Sequence, residues 1–406
     1  MKYIVVLGDG MADRPLPELG GKTPLEAADK PHMDYLAQHG AAGMAQTIPH
    51  GMPPGSDTAN LSVMGYAPEI YYSGRSPLEA VSMGVPVNDD DVTFRMNLVT
   101  VSDEPCYADK TMLDYGAGEI STEEATELVR FLAENLDCDD LQIYPGISYR
   151  HCLVLRHAHT GTALTPPHDI TGRPVRDHLP AGRYGERLLA LMERSHALLR
   201  EHPVNLARIA KGLNPANSCW LWGEGTRPKL EPFEKLYGVR GGGVCAVDLL
   251  KGIGLCAGMR APDVPGATGA MWTDFAAKGR KALELLHDGC DMVYVHIEAP
   301  DECGHHGAPL EKVRAIEAID RDVLGFLMDA LRAEGESFRI LLTPDHPTPC
   351  ALKTHVGEPV PFVLYDSTRE EAPHAARYTE ADAAATGLFL AEGPMLMQRL
   401  IGKREA

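Results

Sequence analysis

The chain has 406 residues, 44% hydrophobic and 23% charged, which excludes a disordered chain and exceeds one ordinary core, so two domains are expected. Its formal net charge of -19, from 38 Lys+Arg against 57 Asp+Glu, argues against nucleic acid or an anionic membrane surface as partner. A small phosphorylated substrate stays compatible, provided arginines and metal ions concentrate positive charge at one place.

Tyr3–Leu7 is a continuous apolar run of β-branched character cut off by Gly8-Asp9. It is too short for a signal-peptide core or a membrane span and predicts a buried first strand. The 9 cysteines are scattered without CxxC pairs, which predicts free thiols and a cytoplasmic protein. Gly51-Met-Pro-Pro-Gly55-Ser56-Asp57 predicts a tight loop delivering Ser56 to a helix N-terminus.

From there the texture changes. Phe94–Val101 alternates as a half-exposed antiparallel strand would. Ser121-Thr-Glu-Glu124 opens a helix with a capping-box pattern. Tyr149–Leu155 predicts a strand and Arg183–Arg200 a helix. These elements form an expected second α+β domain at 76–224, inserted into a first domain made of 1–75 and 225–406. Gly241-Gly242-Gly243 reads as a loop.

The C-terminal part alternates again. Thr273 can cap a helix carrying Phe275, Leu283, Leu285 and Leu286. Asp291–Ile297 is a buried strand. Val313, Ile316, Ile319, Val323, Leu327 and Leu331 recur every three or four residues, the pattern of an amphipathic helix of about six turns at 3.6 residues per turn. Phe338–Thr343 and Pro361–Tyr365 follow as strands. The order predicts an α/β fold, a mostly parallel sheet with helices on both faces and right-handed crossovers.

Metal-type ligands stand where such a sheet would use them, because open α/β sheets bind ligands beyond the carboxyl ends of their strands. Asp9 follows the first strand; Asp301 and His305 follow the strand ending at Ile297. Asp345 and His346 follow the strand ending near Leu342, and His355 precedes the Pro361 strand. Three carboxylates and three imidazoles suit Mn²⁺ or Zn²⁺, or with fewer nitrogens Mg²⁺, and exceed what one ion needs. Two divalent ions are therefore expected. Ser56 supplies the nucleophile that such a pair would act with, its backbone N–H groups favouring a phosphate.

These motifs are similar to those of the alkaline phosphatase superfamily, and the chain resembles the archaeal-type branch of cofactor-independent phosphoglycerate mutases. The resemblance runs over nearly the whole chain. It is carried by GDGMADRP (8–15), PPGSDTANLSVMGY (53–66), LKGIG (250–254), APDVPGATG (261–269), VHIEAPDECGHHG (295–307) and TPDHPTP (343–349).

The resemblance implies an alkaline-phosphatase-like domain interrupted by a smaller substrate-binding domain that closes over the site to keep water out. It implies Asp9, Ser56, Asp345 and His346 around one ion, and Asp301, His305 and His355 around the other, Mn²⁺ being the first expectation. Ser56 resembles the serine that is transiently phosphorylated while 3-phosphoglycerate and 2-phosphoglycerate interconvert, with no bisphosphoglycerate required. Lys251 is a match to a lysine near the transferred phosphoryl group. Arg240, Arg150, Arg173, His168 and Asp169 are candidates for the phosphate and carboxylate of the glycerate, arginine suiting both through its bidentate fork.

Rival readings are a metallophosphatase with the same nucleophile, a homoserine-kinase-like phosphotransferase, and a metal binder without catalysis. No GxxxxGK[ST] loop supports a nucleotide site. The intact Ser56 speaks against the binder.

Overall fold

The structure is a computed structural model that describes residues 1–369 and 374–402. The chain forms two compact units, one of Met1–Tyr72 with Leu230–Ala406 and one of Ser73–Lys229.

The first unit is built on a seven-stranded sheet. The first strand, Lys2–Gly8, lies at its centre, parallel to Met292–Ile297 on one side and to Phe338–Thr343 on the other. All six residues of Met292–Ile297 are buried. Burial of both alternating faces requires cover on each side, as expected for a parallel sheet flanked by helices. Gly241–Val244 adds a fourth parallel strand at the edge. Its three glycines carry no strand propensity, which is why the segment reads as a loop. The sheet accepts them because a Cβ at Gly241 would stand 2.8 Å from Met259, and one at Gly242 3.1 Å from Cys290.

The sheet is not parallel throughout. Val360–Asp366 pairs antiparallel with Phe338–Thr343, and Ala41–Ala45 pairs antiparallel with it in turn. Residues 344–359 between the first two contain no helix, so the chain lacks the covering element of a parallel crossover and turns straight back. His355 is thereby returned to the edge where Phe338–Thr343 ends.

The predicted six-turn helix also differs in detail. Pro309–Ala318 and Phe326–Ala333 are α-helical, and Ile319–Gly325 between them is a π-helix. In the wide segment Asp320 accepts hydrogen bonds from the backbone N–H of Met33 at 2.7 Å and from His32, capping the helix Pro31–His39. The helix Phe275–His287 is capped by Asp274, which accepts from Ala277 N–H at 2.8 Å, rather than by Thr273.

The second unit holds a five-stranded antiparallel sheet around Val92–Val101. That strand pairs with Arg150–Leu155 on one side and Ser218–Thr226 on the other. It is buried on both faces except at Arg95, not half-exposed. The helices Thr122–Leu136 and Gly185–Leu199 contribute to its core, and Ser76–Ser82 also packs on it, Ser76 Oγ donating to Thr93 O at 3.0 Å. Ser121 caps Thr122–Leu136 through Glu124 N–H, but the Glu124 carboxylate is taken by Arg208, so the reciprocal box bond is not made. All nine cysteines are free. Among the described residues no helix is long and apolar enough to cross a membrane.

Candidate active site

The carboxyl ends of the three central parallel strands bring distant acids and imidazoles together in the first unit. The turn after Lys2–Gly8 carries Asp9, and Gly10 N–H donates to Asp345 Oδ1 at 3.1 Å. Asp345 and His346 follow Phe338–Thr343, and both are completely buried. Asp301 sits in the first turn of the helix Ala299–His306, so His305 lies one turn on, with its Nε2 3.2 Å from Asp301 Oδ2. His355 Nε2 stands 3.4 Å from Asp301 Oδ1 and 2.9 Å from His305 Nε2.

The ligand-type atoms of Asp9, Asp345 and His346 lie within 4.8 Å of one another, as do those of Asp301, His346 and His355. His346 is therefore between the two groups rather than in one of them. Ser56 opens the helix Ser56–Val63, and its Oγ is 3.2 Å from His346 Nε2. All six expected acid and imidazole side chains, and the serine, converge.

The electrostatics are those of a site short of positive charge. Burial, then the charges of Asp345 and Asp301, raise Asp9 well above the usual carboxylate range. Burial would raise Asp301 too, but hydrogen bonds from His305 and His355 outweigh it and hold Asp301 well below that range. The same bond from Asp301 lifts His305 to about 9, whereas burial lowers His346. Asp9 Oδ1 is buried with no hydrogen-bond partner among the described residues, and two imidazole nitrogens face each other across 2.9 Å. An unpartnered carboxylate oxygen and facing ring nitrogens are the donor set a divalent cation would satisfy. The residues fit the group.

Several residues that serve this cluster escape sequence reasoning. Thr348 donates to Asp301 and lies 3.3 Å from His346 Nδ1, linking the two groups. Asn60 donates to Asp345 Oδ2 at 2.8 Å and to the Ser56 carbonyl at 2.8 Å, and Tyr294 donates to Asn60 at 2.6 Å. Lys312 donates to Asp13 Oδ2 at 2.9 Å, with both side chains fully shielded from solvent. The signal for Lys312 was available, since it stands four residues before Ile316 on the apolar stripe. Lys278 stands likewise four residues before the buried Ala282.

Sequence similarity now decides the family. The profile of 2,3-bisphosphoglycerate-independent phosphoglycerate mutase matches residues 37–205. A probable 2,3-bisphosphoglycerate-independent phosphoglycerate mutase of Geobacter sulfurreducens is 48% identical over 403 residues, 99% of this chain and 100% of the relative. The chain belongs to this family. The mutase of Methanothrix thermoacetophila is also 48% identical, over 99% of this chain and 100% of the relative. Among solved structures, the PH0037 protein from Pyrococcus horikoshii superposes with a TM-score of 0.83 at 31% identity, covering 100% of this chain and 98% of that one. The cofactor-independent phosphoglycerate mutase from Thermoplasma acidophilum does so at 0.68 and 27%, covering 99% of both chains. The mutase family is an isomerase family, the enzyme class expected from the motifs.

The remaining candidates divide. Lys251 lies in the helix Asp248–Cys256 that follows the carboxyl end of Gly241–Val244, the edge that also carries the mutase motifs, and its Nζ is 2.6 Å from Asp263. Arg240 is not brought to the cluster. It precedes Gly241–Val244, at the amino end of a parallel strand, and is exposed and paired with Asp291 at 3.1 Å. It belongs to the opposite edge of the sheet from Asp9.

Arg150, His168 and Asp169 are in the second unit, where His168 packs edge-on against Trp222 with ring centroids 5.3 Å apart and against Tyr115 at 6.1 Å. His168 Nε2 is 3.5 Å from Asp169. Arg95, not anticipated, lies 4.0 Å over the Trp222 ring and pairs through Nε with Glu79 at 2.8 Å. Arg150 is 5.9 Å from the Tyr149 ring and forms no ion pair among the described residues. Burial first, and then the charges of Arg75 and Arg150, lower the Arg95 pKa. Arg173 is exposed and not drawn into this arginine–aromatic cluster; its carbonyl accepts from Met112 N–H at 3.0 Å.

Proposed function

We propose that this chain interconverts 3-phosphoglycerate and 2-phosphoglycerate through a phosphoserine at Ser56, in a site for two divalent ions. The observation that carries the reading is the position of Ser56 Oγ, 3.2 Å from an imidazole that lies 3.5 Å from Asp9 and 3.4 Å from Asp345. Asp9, Ser56, Asp345 and His346 would hold one ion, and Asp301, His305 and His355 the other. Mn²⁺ suits the mixed oxygen and nitrogen donors best, with Zn²⁺ or Mg²⁺ as alternatives. When bound, the ions would supply the positive charge that lowers the serine hydroxyl pKa and neutralises phosphoryl oxygens.

Ser56 Oγ would attack phosphorus, forming an Oγ–P bond as the bond to the glycerate oxygen breaks. The serine proton ends on the departing glycerate oxygen. The other glycerate hydroxyl then attacks the phosphoserine, its proton returns to Ser56, and the isomer leaves. Asn60 fixes the geometry of attack, because it holds the Ser56 carbonyl and Asp345 with one amide group. The guanidinium groups of Arg150, which has no ion pair among the described residues, and of Arg95, which is paired with Glu79 and stacked on Trp222, are the anion-binding surface of the second unit in this reading. They replace Arg240.

The test is formation of 2-phosphoglycerate from 3-phosphoglycerate without bisphosphoglycerate, coupled to enolase, in wild type and Ser56→Ala. Activity that is lost on chelation and in the variant supports the mutase. Release of inorganic phosphate in its place would make the chain a phosphatase, and ATP-dependent phosphorylation of homoserine would make it a kinase.

A further inference from the structure

Three ionisable groups, His296, Glu298 and Lys278, lie in a row behind Asp9, and none of the three has a part in the chemistry above. Lys278 Nζ is 2.6 Å from Glu298 Oε2 and also donates to the His296 carbonyl at 3.0 Å. Glu298 Oε1 is 3.0 Å from His296 Nδ1, and His296 Nε2 is 3.2 Å from Asp9 Oδ2. Lys278 and His296 are completely buried, and Glu298 and Asp9 are each 4% exposed. The signs alternate along the row, so no member stands as an uncompensated charge. Each ring nitrogen of His296 faces a carboxylate, and a carboxylate only accepts; the arrangement is satisfied when both nitrogens carry protons.

The Asp9 carboxylate is divided by this neighbour. Oδ2 is turned to His296, and Oδ1 is turned to His346 at 3.5 Å. Neither Asp9 Oδ1 nor His296 Nε2 completes a well-aligned hydrogen bond among the described residues. A carboxylate with its outer oxygen 3.2 Å from a buried imidazole nitrogen and its inner oxygen facing a ligand cluster has its rotation biased toward coordination. Outer partners of this kind orient ligands and tune metal affinity.

We propose that His296, itself fixed by Glu298 and Lys278, is a positioning residue that sets the rotation of Asp9 and so the affinity of the ion on the Asp9 side. The inference rests on the two-ion reading. It predicts a selective effect, because among the described residues the side chains of Asp301, His305 and His355 form no hydrogen bond or ion pair with the side chains of the row; Asp301 meets it through its backbone N–H alone, which donates to the Glu298 carbonyl at 2.9 Å.

The test uses full-length protein stripped by chelation and titrated with Mn²⁺ under electron paramagnetic resonance, without substrate. Wild type is expected to bind two ions. His296→Leu and the near-isosteric Glu298→Gln are expected to weaken one step ten- to hundredfold and leave the other unmoved. His296→Gln, which keeps one N–H donor, should recover part of the loss. Circular dichroism and melting of the stripped proteins separate positioning from folding, and Glu298→Gln carries the test should His296→Leu fail to fold. Wild-type affinity at both steps in Glu298→Gln, or equal weakening of both steps, overturns the positioning role while leaving the two-ion reading intact. Absence of Mn²⁺ binding by wild type overturns both.

Discussion

Gly10 lies against Asp301 so closely that a Cβ built on it would stand 2.6 Å from Asp301 Oδ1 and 2.8 Å from Asp301 Cα. Gly10 also has φ +60°, a left-handed conformation that glycine alone adopts without strain. Two ligand-bearing turns, one from each of two adjacent parallel strands, meet at this hydrogen atom. Gly10→Ala must therefore move Asp301 or tilt the bond from Gly10 N–H to Asp345. The expected result is Mn²⁺ binding weakened at least tenfold with a native circular dichroism spectrum. Unchanged affinity would show that the turns shift without cost to the cluster.

The Asp13–Lys312 pair ties the first turn to the loop after Phe338–Thr343, because Lys312 also donates to Ala12 O and to Thr348 O, and Asp13 accepts from Cys350 N–H. Removing one partner of a fully buried pair strands the other charge, at about 3–5 kcal/mol. Lys312→Met should lower the unfolding free energy by about that amount in urea titration. Adding Asp13→Asn should restore part of it, since the stranded charge is then gone. A double variant no more stable than the single one would contradict this account.

Local signals made much of this legible. Asp9, Asp301, Asp345 and His346 stand in short motifs soon after apolar strand runs, and chain direction alone assigns such residues to the carboxyl edge. The same rule would have rejected Arg240, had Gly241–Gly243 been recognised as a strand; glycine has no side chain to advertise burial. The antiparallel return of Val360–Asp366 and the π-helix at Ile319–Gly325 depend on what packs against them, which the chain does not state locally. Arg95 carries no local signal: an arginine is unremarkable in a strand that alternates as a half-exposed one would, and its stacking on Trp222 joins residues far apart in sequence.

His151 gives the second unit a pH dependence of its own. It is buried with Nδ1 accepting from Gly146 N–H at 3.0 Å and Nε2 without a hydrogen-bond partner among the described residues. Burial, and then the charge of Arg150, lower its pKa from 6.5 to about 3. The unfolded chain takes up a proton below pH 6.5 while the folded chain refuses it down to about 3. Stability from this group is therefore complete above pH 6.5 and falls as pH drops, by at most about 1.4 kcal/mol per pH unit. His151→Asn keeps an acceptor for Gly146 and does not titrate. Between pH 7 and 5.5 it should lose about 1 kcal/mol less than wild type in urea unfolding followed by tryptophan fluorescence. Equal losses would assign the acid sensitivity elsewhere.

The arginines of the second unit offer a sharper discrimination, because three residues of one type are expected to behave in three ways. Arg150 has no ion pair among the described residues, so its guanidinium is available to an incoming anion, and Arg150→Ala should raise KM for phosphoglycerate at least tenfold with a smaller fall in kcat. Arg95 pairs through Nε with Glu79 and has its guanidinium carbon 4.0 Å from the Trp222 ring centroid, contacts that a planar guanidinium makes together. Arg95→Lys retains the charge but neither the fork nor the stacking, and should resemble Arg95→Ala rather than wild type. Arg240 is spent on Asp291 at the amino end of the sheet, so Arg240→Ala should leave both constants within about twofold of wild type. Steady-state kinetics on the three positions decide the matter. A large effect at Arg240 with none at Arg150 would return the anion-binding role to the first unit and remove the arginine–aromatic cluster from substrate recognition.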